Sequence, residues 1–200
     1  MSNNLIDRIF TACISHFREI LRLQQKEFQA KREKLSEVYQ SLIFAINSYP
    51  NESPEDVLRY IEYSPSYSME RFETTLKSLD FQIEDYRDRL NNPRISYDQK
   101  NDIELEISNR EHAKKKIINI QESYFKAQSN YKSFIESHKS VFYLYAGQDV
   151  KNALVRFDVA KHNVFISGYP AGDGSDPLKN DIDIIRRNLI SCMRADLGIK

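Results

Sequence analysis

Residues 69–90 read MERFETTLKSLDFQIEDYRDRL and carry the clearest structural pattern in the chain. Their apolar side chains recur every three or four positions, which is the spacing of a helix face that packs against long partner helices. The residues of this row are Met69, Phe72, Leu76, Leu79, Ile83, Tyr86 and Leu90. The pattern therefore predicts a helix within a bundle of long helices.

Proline and serine residues divide the first 146 residues into predicted helices. Ser53 and Pro54 have the order of a capping residue and a first helical residue, and residues 96–99 form a capping box. The predicted helices span about 3–48, 54–62, 69–91 and 97–140. Because the connection after residue 91 is short, we expect the third and fourth helices to run antiparallel and the first to lie along both.

The first predicted helix has a heptad row with a weak middle. Its members, seven residues apart, are Ile14, Leu21, Phe28, Leu35, Leu42 and Tyr49. A companion row contains Phe10, Phe17, Val38 and Ala45, but Gln24 and Lys31 occupy the same row. Apolar stripes on helices usually face a core, so we expect these rows in the bundle interior, with docking of another chain as the alternative. The two polar positions leave room for a partner helix or for bending.

The composition changes near Gly147. All five glycines lie in the last 54 residues, and residues 147–200 contain no glutamate. We therefore expect two units, a long-helix bundle at 1–146 and a small α/β element at 147–200, with a hairpin at about 153–167 and a helix at about 177–197. Val150, Ala153, Leu154 and Phe157 also fit one helix face, so strand and helix stay open there. The predicted fold is mainly α, an elongated antiparallel helical bundle or coiled coil with this C-terminal element.

Charge and cysteine content narrow the functional class. The 29 basic and 29 acidic residues cancel, so the chain is not a general binder of polyanions. With 40% hydrophobic residues, it can bury a substantial core. Two distant cysteines cannot make a disulfide framework, and no apolar run approaches the length of a membrane span. We expect a soluble, cytoplasmic protein without a transmembrane segment.

No motif of catalysis, cofactor binding or metal binding emerges. Cys13 and His16 are three residues apart, but Cys192 is remote in sequence and the chain has no HxxxH or HExxH pair. The loop at 168–176 lacks the Lys-Ser/Thr pair of a phosphate loop, and whether it binds an anion or a cation through residues such as Asp173 and Asp176 stays open. We therefore expect no catalytic residues, no cofactor and no metal.

The sequence favours contacts with other macromolecules. Aromatic candidates for partner binding are Tyr60, Tyr63, Tyr67, Phe157, Phe165 and Tyr169. Candidates for contact with a polyanion are Lys114, Lys115, Lys116, Arg186, Arg187 and Arg194. The leading hypothesis is a non-enzymatic adaptor, scaffold or accessory subunit of a larger intracellular complex, with protein partners and compatible with a homo-oligomer.

Three alternatives remain at this level. A nucleic-acid-associated accessory protein would use the basic residues, and its binding would depend on salt. An enzyme would place a site between bundle and C-terminal segment, with Asp173, Asp176 and His162 as polar groups. A peripheral membrane protein would lay the first helix on lipid.

Overall fold

The computed structural model describes residues 3–172 and 176–199, with side chains from residue 13 onward apart from that of Pro177. Its α-helices are α1 (Asn3–Asn47), α2 (Pro54–Leu58), α3 (Phe72–Leu90), α4 (Tyr97–Tyr145), α5 (Gln148–Lys161) and α6 (Asp181–Asp196). Shorter turns are 3-10 helices at Met69–Arg71 and Pro177–Lys179 and a π-helical turn at His162–Ile166. Within the described ranges there is no strand. The prediction of a mainly helical bundle is confirmed.

Helix α4 is the central element, and its 49 residues extend for about 74 Å. Helix α3 packs antiparallel on its N-terminal half, where Lys114 contacts Asp80 at 2.6 Å. The 3-10 turn before α3 contacts the middle of α4, where Gln121 lies 3.6 Å from Met69. Helix α1 packs antiparallel on the C-terminal half. Its main contacts are with α4 and α6 rather than α3, so the expectation that α1 lies along both α3 and α4 is wrong for α3.

Side-chain caps fix the starts of two helices. Ser96 and Gln99 form the predicted capping box at α4, and Ser53 is the predicted capping residue of α2, where it forms a second capping box with Asp56. The Asp56 carboxylate also accepts the backbone N–H of Ala171 at 3.1 Å. The cap of α2 therefore also anchors the C-terminal loop to the bundle.

The predicted hairpin at 153–167 is wrong, because α5 and the π-helical turn occupy these residues. Val150, Ala153, Leu154 and Phe157 lie on one face of α5 and are all buried. The strand propensity of Val, Ile and Phe depends strongly on packing context. Here the burial of this face favours a helix over a strand. The C-terminal element is therefore helical, not α/β.

The last helix begins later than predicted. Asp176 caps the 3-10 turn by accepting the N–H of Leu178, and Asn180 caps α6 by accepting the N–H of Asp183. The 3-10 turn and α6 thus have separate caps, and the predicted helix at 177–197 is divided at Asn180.

A cluster of aromatic rings joins the two parts of the chain. The ring of Tyr49 lies 5.9 Å from that of Tyr124, 5.6 Å from Phe157 and 6.3 Å from Phe165, measured between centroids. Residues before and after Gly147 belong to one connected apolar core. The division of the chain into two folding units at this point stays a prediction.

Candidate interaction surface

Residues 13–34, in the N-terminal half of α1, are all exposed. We call these residues the free half of α1. Burial of the helix begins abruptly at Leu35, which is only 1% exposed. At this level α4 ends, and the ammonium group of Lys34 lies 5.5 Å from the ring of Tyr145, the last residue of α4. The free half therefore projects past the end of the bundle.

Large apolar side chains are exposed along the free half. Their exposed fractions run from 37% to 62%, and the residues are Ile14, Phe17, Ile20, Leu21, Leu23 and Phe28. Contiguous exposed apolar patches usually mark interaction sites. The free half is therefore the main candidate functional surface of the described chain.

The exposed stripe continues the buried stripe of the same helix. Leu35, Leu42 and Tyr49 are buried, whereas Leu21 and Phe28, at the same seven-residue spacing, are exposed. Residues seven apart lie on nearly the same side of a helix. Helix α4 thus covers this apolar row from Leu35 onward and leaves its earlier members exposed. The expectation that the whole row faces the bundle core is therefore wrong for its first half.

The free half carries an excess of positive charge. Six basic residues (Arg18, Arg22, Lys26, Lys31, Arg32 and Lys34) stand against three acidic ones (Glu19, Glu27 and Glu33). Lys31 interrupts the stripe itself, as does Gln24. The surface is therefore apolar along one side, polar at two positions of that side, and basic overall.

The predicted tyrosine cluster is divided between surface and core. Tyr60 and Tyr63 are exposed, whereas Tyr67 is buried and its backbone N–H donates to Glu55 at 3.1 Å. Burial raises the pKa of Tyr67 to about 12. Tyr60 borders a cavity of about 310 Å³ between α2 and the segment before α6.

Two of the C-terminal aromatic candidates are core residues. Phe157 and Phe165 are at most 1% exposed and pack on Tyr49, so neither is available as a surface contact in this structure. Tyr169 is exposed. Three of the six aromatic candidates thus lie at the surface: Tyr60, Tyr63 and Tyr169.

Two adjoining grooves follow α5 and were missed by the sequence reasoning. One, of about 720 Å³, runs between α5 and α6 beside Asn152 and Asn188. The other, of about 710 Å³, is lined by Val155, Val159 and Tyr169. Val155 and Val159 form an apolar i, i+4 pair opposite the buried face of α5, which is a signal that the sequence does contain.

The basic candidates do not form one open surface. Lys114 is paired with Asp80 and Lys116 with Glu52, each at 2.6 Å, while Lys115 is exposed between them. The Nε of Arg187 donates to the carbonyl of Asp183, and Arg194 is exposed on α6.

Arg186, the remaining basic candidate, is buried. Its guanidinium donates to Asn51 at 2.6 Å, to the Tyr49 carbonyl at 2.9 Å and to Asp183 at 3.0 Å. Burial lowers its pKa, and the neighbouring Asp183 carboxylate opposes that shift. Three of the six proposed cations are therefore already neutralised by carboxylates of the chain, which gives the nucleic-acid alternative no support.

A partly buried group of ionisable side chains lies beside the ring of Tyr49. The Nζ of Lys161 donates to Asp158 at 2.8 Å, and the hydroxyl of Tyr131 donates to the same carboxylate at 3.1 Å. Burial, followed by the charge of Asp158, raises the pKa of Tyr131. None of the three side chains lines either groove along α5, so this group joins α4 to α5 and has no access to a substrate there.

The other chemical candidates stay dispersed. Cys13 and His16 are exposed on the free half, and Asp173 lies outside the described residues together with Gly174 and Ser175. Across the part of the chain that the structure describes, no group of three His, Cys, Asp or Glu side chains is placed to hold a metal. In the same part, no helix is both long and apolar enough to cross a bilayer.

Comparisons of the chain with models of protein families, with curated proteins and with solved structures gave no match.

Proposed function

We propose that this protein is a non-enzymatic adaptor or accessory subunit of a cytoplasmic complex and that it binds a partner helix through the free half of α1. The observation that carries the proposal is the apolar stripe of α1, which the bundle covers from Leu35 onward and which is exposed before Leu35. A partner helix placed end to end with α4 would continue the same seam over Phe28 and Leu21.

The stripe offers apolar surface that a partner helix could cover. Full burial of a large apolar side chain contributes about 1.5–3 kcal/mol. The five exposed apolar residues that lie along the stripe (Ile14, Phe17, Ile20, Leu21 and Phe28) are each about half exposed, so covering them would contribute about 4–7 kcal/mol. This value lies at the lower end of the entropic cost of association of about 4–15 kcal/mol. A partner that covers the stripe would therefore also need polar contacts to bind stably.

The bundle separates this surface from a second one. The carbonyl of Glu62, next to exposed Tyr63, accepts a hydrogen bond from Arg110 in the first half of α4. The free half begins beyond Tyr145 at the other end of α4, about 50 Å away at 1.5 Å per residue. Such separation suits an adaptor, since two partners could bind without contacting each other.

A triple substitution tests the proposal. Phe17→Ser, Leu21→Ser and Phe28→Ser remove the stripe, and Phe44→Ser, Phe81→Ser and Phe125→Ser remove three similarly exposed rings elsewhere as a matched control. Each fluorescently tagged chain is sedimented in an extract of its source cell. We expect the wild type and the control to sediment in an assembly and the stripe variant as a monomer; equal sedimentation of all three chains would overturn the proposal.

A further inference from the structure

Charged residues are distributed unevenly around the free half of α1. Arg18 and Arg32 each follow a residue of the apolar stripe by four positions. Residues four apart are neighbours on a helix surface, so the two arginines border the stripe along one edge. Lys31 occupies a position of the stripe itself. Three of the six basic residues of the free half therefore lie in the stripe or at this edge.

The acidic residues mostly lie away from the stripe. Glu19 and Glu33 each follow a residue of the stripe by five positions, which places them on the outer side of a helix that turns by about 100° per residue. Glu27 lies at the second edge of the stripe, where Lys34 follows it by seven positions. The stripe and its two edges thus carry four basic residues and one acidic residue.

The basic residues at the stripe have no acidic partner within the described chain. Arg18, Lys31 and Arg32 are exposed, and none of them forms an ion pair with another residue that the structure describes. By contrast, Lys114 and Lys116 on α4 are each paired with a carboxylate at 2.6 Å. The positive charge at the stripe is therefore available to a partner.

The basic edge ends where α4 begins to cover the stripe. Residues 35–47 contain no lysine or arginine and only one acidic residue, Glu37. The same helix is therefore nearly uncharged beside α4 and basic where the stripe is exposed. This change indicates that the free half is matched to a covering helix whose charge differs from that of α4.

We propose, as a further specification of the docking function on which this inference rests, that the occupant of the free half is an acidic amphipathic helix of another protein. Its apolar residues would cover the stripe, and its aspartates or glutamates would face Arg18 and Arg32. Charged residues beside a seam between helices select partners in this way. The covering helix also takes Lys31 out of water, and a buried charge needs an opposite charge close by. The partner therefore carries a carboxylate within reach of Lys31.

An anionic membrane would satisfy the same charges but fits the stripe less well. Gln24 and Lys31 are consecutive members of the companion row and interrupt the apolar side of the helix. Helices that lie on lipid bury a continuous apolar face, whereas a seam between helices accommodates single polar residues that specify the partner. The stripe is also continuous with the row that α4 covers from Leu35 onward. A partner helix is therefore the better-matched occupant.

Binding of two synthetic peptides to the purified full chain tests the charge of the occupant. Both peptides have leucine at the seam positions of each heptad, and their edge positions are all glutamate in one and all lysine in the other. Like charges keep each peptide from pairing with itself. By fluorescence anisotropy at low salt, we expect the glutamate peptide to bind at least about tenfold more tightly, and we expect added salt to reduce the difference. Equal affinities at low salt would overturn the inference.

Two pairs of charge reversals separate the edge from the overall charge. Arg18→Glu with Arg32→Glu, the edge variant, reverses the edge. Arg22→Glu with Lys26→Glu, the outer variant, makes the same change in net charge away from the stripe. All four residues are exposed, so both variants should fold. We expect only the edge variant to lose the preference for the glutamate peptide, and the same response of both variants would overturn the inference.

Two further results would identify a different occupant. Binding to vesicles of phosphatidylserine and phosphatidylcholine, without binding of either peptide, would overturn the inference in favour of a membrane. A monomer–dimer equilibrium of the purified chain that the stripe variant loses would overturn it in favour of a second copy.

The cell extract separates this inference from the proposed function. With an acidic partner, the edge variant should leave the assembly as the stripe variant does, and the outer variant should remain in it. If only the stripe variant leaves, the acidic partner is overturned and the docking function stands. If all three variants remain, both proposals are overturned.

Discussion

The phenol of Tyr39 in α1 donates a hydrogen bond of 2.5 Å to the Oδ2 of Asp196 at the end of α6. The same oxygen accepts the backbone N–H of Gly147 at 2.9 Å, where α4 passes into α5. One carboxylate thus joins the half of α1 that packs on α4, the start of α5 and the end of α6. The C-terminal helices are held on the bundle by this contact as well as by the aromatic core.

Removal of the Asp196 carboxylate should cost more than removal of the phenol. Asp196→Ala leaves the buried Tyr39 hydroxyl and the Gly147 N–H without partners, and we expect a loss of about 2–3 kcal/mol in the free energy of unfolding. Tyr39→Phe leaves Asp196 its Gly147 contact and should cost about 1 kcal/mol. Urea unfolding measures both, with exposed Tyr143→Phe as the control; a larger loss for Tyr39→Phe would contradict this assignment.

The buried tyrosines predict a loss of stability at alkaline pH. Burial raises the pKa of Tyr39, Tyr49 and Tyr131, and it raises that of Tyr67 to about 12. A folded-state pKa above the unfolded value of about 10 means that the folded state binds more protons above pH 10. Its stability is therefore complete below pH 10 and falls above it, by up to about 1.4 kcal/mol per pH unit for each such tyrosine.

Tyr49→Phe isolates one of these contributions. The variant loses the hydrogen bond of 2.8 Å to Gln128 and should be about 1 kcal/mol less stable at pH 7. Between pH 10 and 11.5 its stability should fall less steeply than that of the wild type. Thermal unfolding at several pH values measures the slopes, and a slope equal to that of the wild type would contradict the role of the buried phenol.

Two glycines with positive φ should respond very differently to alanine. Gly168 has φ +81, and a Cβ there would lie 1.9 Å from the Tyr67 carbonyl oxygen. Gly198 has φ +67, and among the described residues beyond its chain neighbours no atom lies within 4 Å of such a Cβ. Gly198→Ala should cost about 1–2 kcal/mol from conformation alone, whereas Gly168→Ala should cost several kcal/mol or prevent folding; similar losses in chemical unfolding would refute the close approach.

The buried Arg110 should be far more sensitive than an exposed arginine of the same hairpin. Its guanidinium donates to Gln82 at 2.9 Å and to the Glu62 carbonyl at 2.8 Å, and it also pairs with Glu106. Arg110→Leu should cost about 2–3 kcal/mol, since it removes several hydrogen bonds of a fully buried guanidinium to part-buried acceptors. Arg87→Leu, which removes an exposed ion pair with Glu111, should cost at most about 1 kcal/mol. Equal losses in the free energy of unfolding for the two variants would contradict a stabilising role of the Arg110 hydrogen bonds.

Local signals allowed much of the helical fold to be predicted. Ser53 and Ser96 mark helix starts because capping is decided within four residues, and the row from Met69 marks α3 because its spacing is regular. The segment 153–167 was ambiguous for a physical reason: Val, Ile and Phe suit a strand, and only contact with α6 and Tyr49 makes that segment helical. Arg110, within a polar run, gave no sign of its burial.

The candidate surface illustrates a further limit of periodicity. A heptad row specifies which side of a helix is apolar, but it does not specify what covers that side. Leu21 and Leu42 occupy equivalent positions in the sequence, yet one is exposed and the other is fully buried. The difference arises from where α4 ends, which depends on the pairing of whole helices rather than on any local motif.

Amide hydrogen exchange along α1 tests the central claim most directly. The purified chain at low concentration is compared with the assembly isolated from its source cell. We predict rapid exchange for residues 13–34 in the isolated chain, slow exchange for the same residues in the assembly, and little change for residues 35–47, which α4 already covers. Equal exchange of residues 13–34 in both states would contradict the claim that this half of the helix is the docking surface.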